Sequence, residues 1–201
     1  MSSSVALSKF SASVAGARVL AGFHGNVSNA SPNQRFTDTC VLSAAVAHGV
    51  GCWEGYLEAV LREFVSKTRI QAHRRAWTLI VQFEALVDKA ASELNTPSWD
   101  KCRDLILNIT GMDVYPSWIW NAKFSNQTDT KAFFDGVLRV RHSFAHGFSI
   151  PNDIPGLILA GNLDKAYVAN AISCVEFFAQ KTDLLLEYEL THRHGCSNGW
   201  N

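Results

Sequence analysis

The feature that most constrains the fold is a helical repeat of large apolar residues between Trp53 and Phe64. These residues recur at positions i, i+3, i+4, i+7, i+8 and i+11, which places them on one stripe of an α-helix. They are Trp53, Tyr56, Leu57, Val60, Leu61 and Phe64. No segment alternates apolar and polar residues for long enough to indicate a strand. The sequence therefore predicts an all-α fold, a single-domain helical bundle of about five to six helices.

Helix caps and breakers divide the rest of the chain in the same way. The predicted helices span residues 5–27, 37–67, 73–94, 98–107, 128–147 and 163–191. Thr37 and Asp38 are expected to cap the second helix, Ser98 the fourth, and Gly147 to end the fifth. The segment 111–127 has no sustained period and is predicted to be an ordered loop with a short helical turn.

Three glycines, Gly49, Gly51 and Gly55, interrupt the middle of the second predicted helix. Each costs up to about 1 kcal/mol relative to alanine, so they indicate either a bend or a close approach to the backbone.

The predicted domain has three parts. Residues 1–36 form an N-terminal helix and loop, residues 37–190 the core bundle, and residues 191–201 a flexible tail, in which Gly195 to Asn201 are expected to fray. The first 37 residues contain no acid, which is also typical of an organellar presequence. We favour an ordinary first helix, because the apolar residues there recur at helical spacing.

Composition excludes several classes of protein. The formal net charge is +0, so there is no global positive field of the kind that coats nucleic acid. No run approaches the roughly 18 to 20 apolar residues of a membrane span. The five cysteines are odd in number and widely spaced, which indicates a reducing cytoplasm. An apolar fraction of 47% with 18% charged residues favours a dimer that covers extra apolar surface.

The end of the fifth predicted helix concentrates the chemistry of the chain. At about 100° per residue, Arg139, His142 and His146 fall within roughly 60° of one another. Arginine offers a fork of donors to phosphate, and histidine exchanges a proton near neutrality, so the set suits a phosphodiester. The alternative is that these side chains only complement the helix dipole. Nothing nearby completes a zinc site around the two histidines, so we expect neither a metal nor a cofactor.

The string Arg141-His142-Ser143-Phe144-Ala145-His146-Gly147 resembles the signature of the HEPN superfamily, in which an arginine and a polar residue precede a histidine and glycine. The segment Val41 to Phe64, with Trp53-Glu54-Gly55-Tyr56-Leu57, is similar to the long early helix of RiboL-PSP-type HEPN domains. The similarity covers most of residues 37–190, and its specific part is the seven-residue string.

This resemblance implies a metal-independent endoribonuclease acting at the interface of a symmetric homodimer. Arg141 would hold the scissile phosphate, and His146 would move a proton. His142 would orient the substrate or assist. Glu54 matches the helix-borne acid and would fix an imidazole or the arginine, its alternative being a solvated helix charge. Arg139 lies outside the motif and is expected to give a second phosphate contact.

On a straight helix Arg141 and His146 point roughly 140° apart. They share a substrate only if the helix breaks near Ser143 or a dimer partner supplies one of them.

The expected substrate is single-stranded RNA, cut through a 2′,3′-cyclic phosphate. Trp118 and Trp120 are either stacking platforms for its bases or core anchors. A local basic groove would combine Arg139 and Arg141 with three further arginines, Arg69, Arg74 and Arg75. The resemblance also implies a toxin or antiviral effector, with an antitoxin or regulatory protein as a further partner. The alternative function is a non-catalytic HEPN dimerisation module that binds nucleotide, RNA or a partner protein.

Overall fold

The computed structural model describes residues 2–23, 34–68, 77–94 and 97–201, with the side chains of residues 34, 35 and 77–80 outside that description. The helices are α1 (Val5–Gly22), α2 (Gln34–Thr68), α3 (Trp77–Ser92), α4 (Trp99–Thr110), α5 (Gln127–Ala145) and α6 (Lys165–His192). A short 3-10 helix covers Tyr115–Ser117. The described residues contain no β-strand and one isolated bridge, between Leu159 and Asn162. The predicted all-α fold is therefore confirmed, with six helices in the described part of the chain. None of these helices is long and apolar enough to cross a membrane.

Helix α4 begins and ends as its sequence indicates. The Ser98 side chain accepts a hydrogen bond from the backbone N–H of Lys101 at 3.3 Å, which satisfies one of the donors left over at a helix start. Gly111 has φ = 74°, and its N–H donates to the carbonyl of Leu107. This left-handed glycine carries the helix to Thr110, beyond the expected end.

Two other helix starts differ from the prediction. Helix α2 begins at Gln34, so Thr37 and Asp38 lie inside the helix, and their predicted role as its cap is wrong. Helix α5 begins slightly earlier than expected, because the Asn126 side chain accepts a hydrogen bond from the N–H of Asp129 at 2.8 Å. A capping side chain acts only where the chain is not already helical, so preceding residues decide which candidate is used.

Several predictions fall outside the described residues. These are the end of the first helix at Val27 and the start of the third at His73. The three arginines that the basic groove required, Arg69, Arg74 and Arg75, also lie outside the description. The groove therefore stays a prediction.

The glycines of α2 do not interrupt it. A Cβ at Gly49 would lie 3.8 Å from the Ile172 side chain on α6 and 3.9 Å from that of Ala17 on α1. A Cβ at Gly51 or Gly55 would meet nothing within 4 Å. The distances at Gly49 are those of ordinary van der Waals contacts, so a close approach to the backbone accounts for none of the three glycines.

The chain divides into two compact units. Unit 1 comprises residues 1–10, 54–118 and 178–201, and unit 2 comprises residues 11–53 and 119–177. In unit 1 the rings of Trp99, Trp118 and Phe178 pack with centroids 5.2 to 5.4 Å apart. The indole N–H of Trp118 donates to the buried hydroxyl of Thr182 at 3.2 Å, which supplies the partner that a buried indole needs.

Unit 2 has a separate aromatic core. The ring of Trp120 lies 5.8 Å from that of Phe133, and Phe133 lies 5.5 Å from Tyr167. Trp53 meets Phe134 edge to face at 6.3 Å. The packed side chains of Trp118 and Trp120 confirm that the loop between α4 and α5 is ordered, with the 3-10 helix as its short helical turn.

Buried carboxylates on α6 hold the N-terminal segment in unit 1. Asp183 is 2% exposed and accepts hydrogen bonds from the Ser4 N–H at 3.2 Å, the Ser4 hydroxyl and the Tyr56 hydroxyl. Glu187 accepts the N–H of Ser2 at 2.7 Å. The Asp183 carboxylate thereby satisfies the donors of Ser4 and Tyr56, which are buried.

The C-terminal tail joins the same network. Trp200 is 4% exposed, its backbone N–H donates to the Ser2 hydroxyl at 3.1 Å, and its indole N–H donates to the Asp183 carbonyl at 3.3 Å. The prediction that Gly195 to Asn201 fray is therefore wrong. The cause is an indole whose partners lie far away in the sequence.

We predict that Asp183→Ala lowers the free energy of unfolding by about 3 kcal/mol, because it leaves the donors of Ser4 and Tyr56 buried without an acceptor. Urea denaturation followed by circular dichroism measures the change. The matched control is Asp88→Ala, which breaks the ion pair between Asp88 and Arg62. The Asp88 side chain is 60% exposed, so its loss should cost less than about 1 kcal/mol.

The difference in free energy of unfolding between wild type and Asp183→Ala should depend on pH. Burial raises the pKa of the Asp183 carboxyl, so the folded state holds this proton more tightly than the unfolded state does. The stability that the group contributes is then largest below its unfolded pKa and declines as the pH rises through the raised pKa. The difference between wild type and Asp183→Ala should shrink over that range. Equal losses in the two variants at every pH would contradict a stabilising role for the network.

Candidate functional site

Helix α5 ends in a turn made by one left-handed residue and two backbone hydrogen bonds. Gly147 has φ = 68°. Its N–H donates to the carbonyl of Phe144 at 3.3 Å, and the N–H of Phe148 donates to that of Ser143 at 2.8 Å. These are the two bonds of a Schellman motif, which favours glycine at its left-handed position. The prediction that Gly147 ends this helix is confirmed, and the turn fixes the backbone of Phe148.

Three aromatic rings meet at this turn, those of His142, His146 and Phe148, and we call them the ring cluster. The two imidazole centroids are 4.4 Å apart. The Phe148 ring lies 5.8 Å from that of His146, with 24° between the planes, and 6.3 Å from that of His142. All three side chains are exposed. Two adjacent imidazoles are thus accessible to a bound molecule.

Arg141 is half-buried and lies on a part of α5 that runs without interruption from Gln127 to Ala145. At about 100° per residue, Arg141 and His146 therefore leave the helix roughly 140° apart. The sequence offered two ways to bring them onto one substrate, and the break near Ser143 is not present in α5. The other way, a contribution from a second copy of the chain, stays a prediction.

Arg139 binds a carboxylate on the loop that follows α5. Its guanidinium donates to the two carboxylate oxygens of Asp153 at 3.1 and 2.6 Å, and the two side chains are 46% and 74% exposed. This pairing holds the pKa of the Asp153 carboxyl below its ordinary value. The pair is therefore intact at neutral pH and is lost as the pH falls through that lowered pKa. Any phosphate that binds Arg139 must compete with Asp153.

Gly136 explains why the loop reaches Arg139. A Cβ at this position would lie 3.1 Å from Pro155 Cδ and 3.3 Å from Ile154 Cγ2. The missing side chain lets the loop lie against α5 one turn before Arg139, which brings Asp153 to the guanidinium. This contact was not predicted from the sequence, although a glycine inside a regular apolar helix indicates a close neighbour.

Glu54 lies on α2 in unit 1, whereas the motif residues lie in unit 2. Its side chain is half-buried, with the carboxylate oxygen Oε1 shielded from solvent. It is therefore not simply a solvated helix charge. Its participation in the chemistry of the motif stays a prediction.

Trp118 and Trp120 had two interpretations, stacking platforms or core anchors, and the structure supports the second. Trp118 is 0% exposed and Trp120 is 7% exposed, so both are core anchors, and the platform interpretation is wrong. The exposed ring beside the motif is that of Phe148, at 63%. This position was not identified from the sequence, although the rule that an apolar residue often follows a Schellman glycine could have indicated it.

The C-terminal residues His192, His194 and Cys196 each contact a different partner. His192 contacts the Tyr188 carbonyl at 2.9 Å through Nδ1, and the ring of His194 packs on Phe64 at 5.5 Å. Cys196 donates to the Lys67 carbonyl. Across the described residues, no three side chains of His, Cys, Asp or Glu come together where they could hold a metal ion.

Comparison of the chain with models of protein families, with curated proteins and with solved structures found no match. The function of the chain must therefore be inferred from the residues at the end of α5 and from their geometry.

We predict that Asp153→Asn strengthens the binding of a short single-stranded oligonucleotide by about 2- to 5-fold, because it removes the carboxylate that competes for Arg139. Fluorescence anisotropy with a labelled strand measures the affinity. Asp113→Asn is the matched control, since Asp113 makes the same two-oxygen pair with Arg103 in unit 1, at 2.8 and 2.6 Å. Equal effects of the two variants, or weaker binding by Asp153→Asn, would exclude competition at Arg139.

Proposed function

We propose that this chain is a metal-independent endoribonuclease of HEPN type, which acts as a homodimer and cleaves single-stranded RNA through a 2′,3′-cyclic phosphate. The observation that carries the proposal is the exposed pair of imidazoles, His142 and His146, with centroids 4.4 Å apart at the end of a helix that also bears Arg139 and Arg141.

The reaction needs only proton transfer and charge stabilisation. RNA supplies its own nucleophile, because the 2′-hydroxyl can attack the adjacent phosphorus. His146 takes the proton of that hydroxyl while the bond from phosphorus to the 2′-oxygen forms. The bond to the 5′-oxygen breaks, and that oxygen leaves with a proton from a second acid, for which His142 is placed. Arg141 stabilises the charge on the pentavalent phosphorus.

The geometry of α5 favours a site shared between two copies. Arg141 and His146 diverge on a continuous helix, so one chain does not present both to the same phosphate. Two exposed apolar residues of unit 2, Ile158 at 77% and Leu159 at 66%, offer surface that a second copy would cover. Both observations support a dimer in which each phosphate meets residues of both chains.

A second candidate is a non-catalytic dimer that binds RNA, nucleotide or a partner protein. The pairing of Arg139 with Asp153 favours it, because a guanidinium engaged by a carboxylate has fewer donors for a phosphate. Deployment as a toxin or antiviral effector, with an antitoxin or regulatory protein as partner, belongs to the first candidate and is supported by the motif alone.

We predict that the wild-type protein cuts a mixed single-stranded RNA in the presence of EDTA and leaves cyclic phosphate ends. His146→Ala should reduce the rate by about 10² to 10⁴, the usual contribution of a proton-transferring side chain. Gel analysis of end-labelled RNA measures both the rate and the ends.

The control for this variant is His192→Ala, which removes an exposed histidine from the end of α6 and should leave the rate unchanged. If a folded wild-type protein cuts no RNA, or His146→Ala cuts as fast as wild type, the catalytic assignment fails and the binding module becomes the better proposal.

We predict that Arg141→Ala and His146→Ala, each inactive alone, recover activity when mixed and allowed to exchange subunits. A mixed dimer holds one site with an intact arginine from one chain and an intact histidine from the other. With random pairing, recovery should approach about a quarter of the wild-type rate. A mixture that exchanges subunits but stays inactive would show that both residues act within one chain.

A further inference from the structure

The ring of Phe148 is large, apolar and exposed, yet it is held in a defined place. It is 63% exposed, and its backbone N–H is tied to the Ser143 carbonyl at 2.8 Å. A single exposed apolar residue is common on protein surfaces and needs no explanation by itself. The neighbours of this one, the two imidazoles of the ring cluster, distinguish it.

The arrangement of the rings leaves an aromatic face available. The planes of Phe148 and His146 differ by 24° with centroids 5.8 Å apart, so the two rings are nearly parallel and offset. A flat molecule laid against Phe148 would lie nearly parallel to the imidazole as well. Bases of RNA stack on aromatic side chains in this manner, and every base offers a suitable face.

We propose that Phe148 binds an unpaired nucleobase next to the phosphate that is cut, and so restricts the site to single-stranded RNA. This inference rests on the proposed ribonuclease function and adds to it the recognition of the base. The bases of a duplex already stack on their neighbours, so only an unpaired base can lie on the Phe148 ring.

The chemistry around the ring favours a nucleotide over a protein surface. An apolar partner segment would leave the polar nitrogens of His142 and His146 facing apolar groups, which costs free energy. A nucleotide places its base on the ring and its phosphate near the imidazoles. Arg139, on the same side of α5 by its spacing, adds a cation for that phosphate.

The test measures cleavage and binding by Phe148→Leu and Phe148→Trp. Leucine keeps apolar bulk but has no aromatic face, so the KM for single-stranded RNA should rise by about 5- to 150-fold, the range of one lost stack, with kcat little changed. Tryptophan restores a face and should keep the wild-type KM. The matched control is Phe36→Leu on α2, whose ring is 73% exposed, and it should behave as wild type.

A second RNA substrate makes the test independent of the stability of the Phe148→Leu variant. On wild type, an RNA with an abasic nucleotide beside the cut should bind more weakly by the same factor as Phe148→Leu does on the intact strand. Phe148→Leu should bind the intact and abasic strands equally. If Phe148→Leu proves unfolded, the abasic strand on wild type and the tryptophan variant still decide the question.

Several outcomes overturn the inference. The stacking proposal is wrong if Phe148→Leu has an unchanged KM. It is also wrong if the abasic nucleotide weakens the binding of wild type and of Phe148→Leu by the same factor. Cutting that depends on His146 would still support the proposed function in either case. Conversion of dimer to monomer by Phe148→Leu in sedimentation assigns the ring to a protein interface instead. If wild type neither binds nor cuts any single-stranded RNA, the proposed function fails together with the inference.

Discussion

The left-handed backbone at Gly147 determines what lies at the end of α5. With φ = 68° the chain reverses at once, and the N–H of Phe148 returns to the Ser143 carbonyl. A residue with a Cβ strains in this conformation, so glycine is needed for the turn even though no neighbour crowds it. The glycine of the motif thus has a structural role, which is to bring the ring of Phe148 beside the histidines.

Two anions can bind the guanidinium of Arg139: the carboxylate of Asp153 and a phosphate. The guanidinium presents a fork of donors that fits a carboxylate and a phosphate equally well. Asp153 occupies this fork through an exposed pair, and such pairs are weak because water and salt screen them. The two candidate functions therefore differ in whether a phosphate displaces Asp153, and the same geometry is compatible with either.

The sequence predicted those features that depend on neighbours along the chain. Ser98 and Gly147 act on backbone groups within a few residues, so their roles could be predicted and are confirmed. Trp118 and Trp200 depend on partners far away, among them Thr182 for the first and Asp183 for the second, and no local pattern indicates such pairings. Phe148 was not predicted; the rule for the turn could have indicated an apolar residue there, but not the imidazoles that it meets.

The absence of a net charge on this chain limits how it can bind RNA. Affinity from phosphate contacts grows with the number of cations that replace counterions, and α5 offers two arginines, Arg139 and Arg141. The guanidinium of Arg139 is bound by Asp153. Long-range attraction is correspondingly small, because the 18 basic and 18 acidic residues of the chain cancel. Stacking of bases on aromatic rings needs no charge, so the zero net charge of the chain does not weaken it. A protein of this composition that acts on RNA must therefore obtain much of its affinity from exposed rings and from the shape of its site.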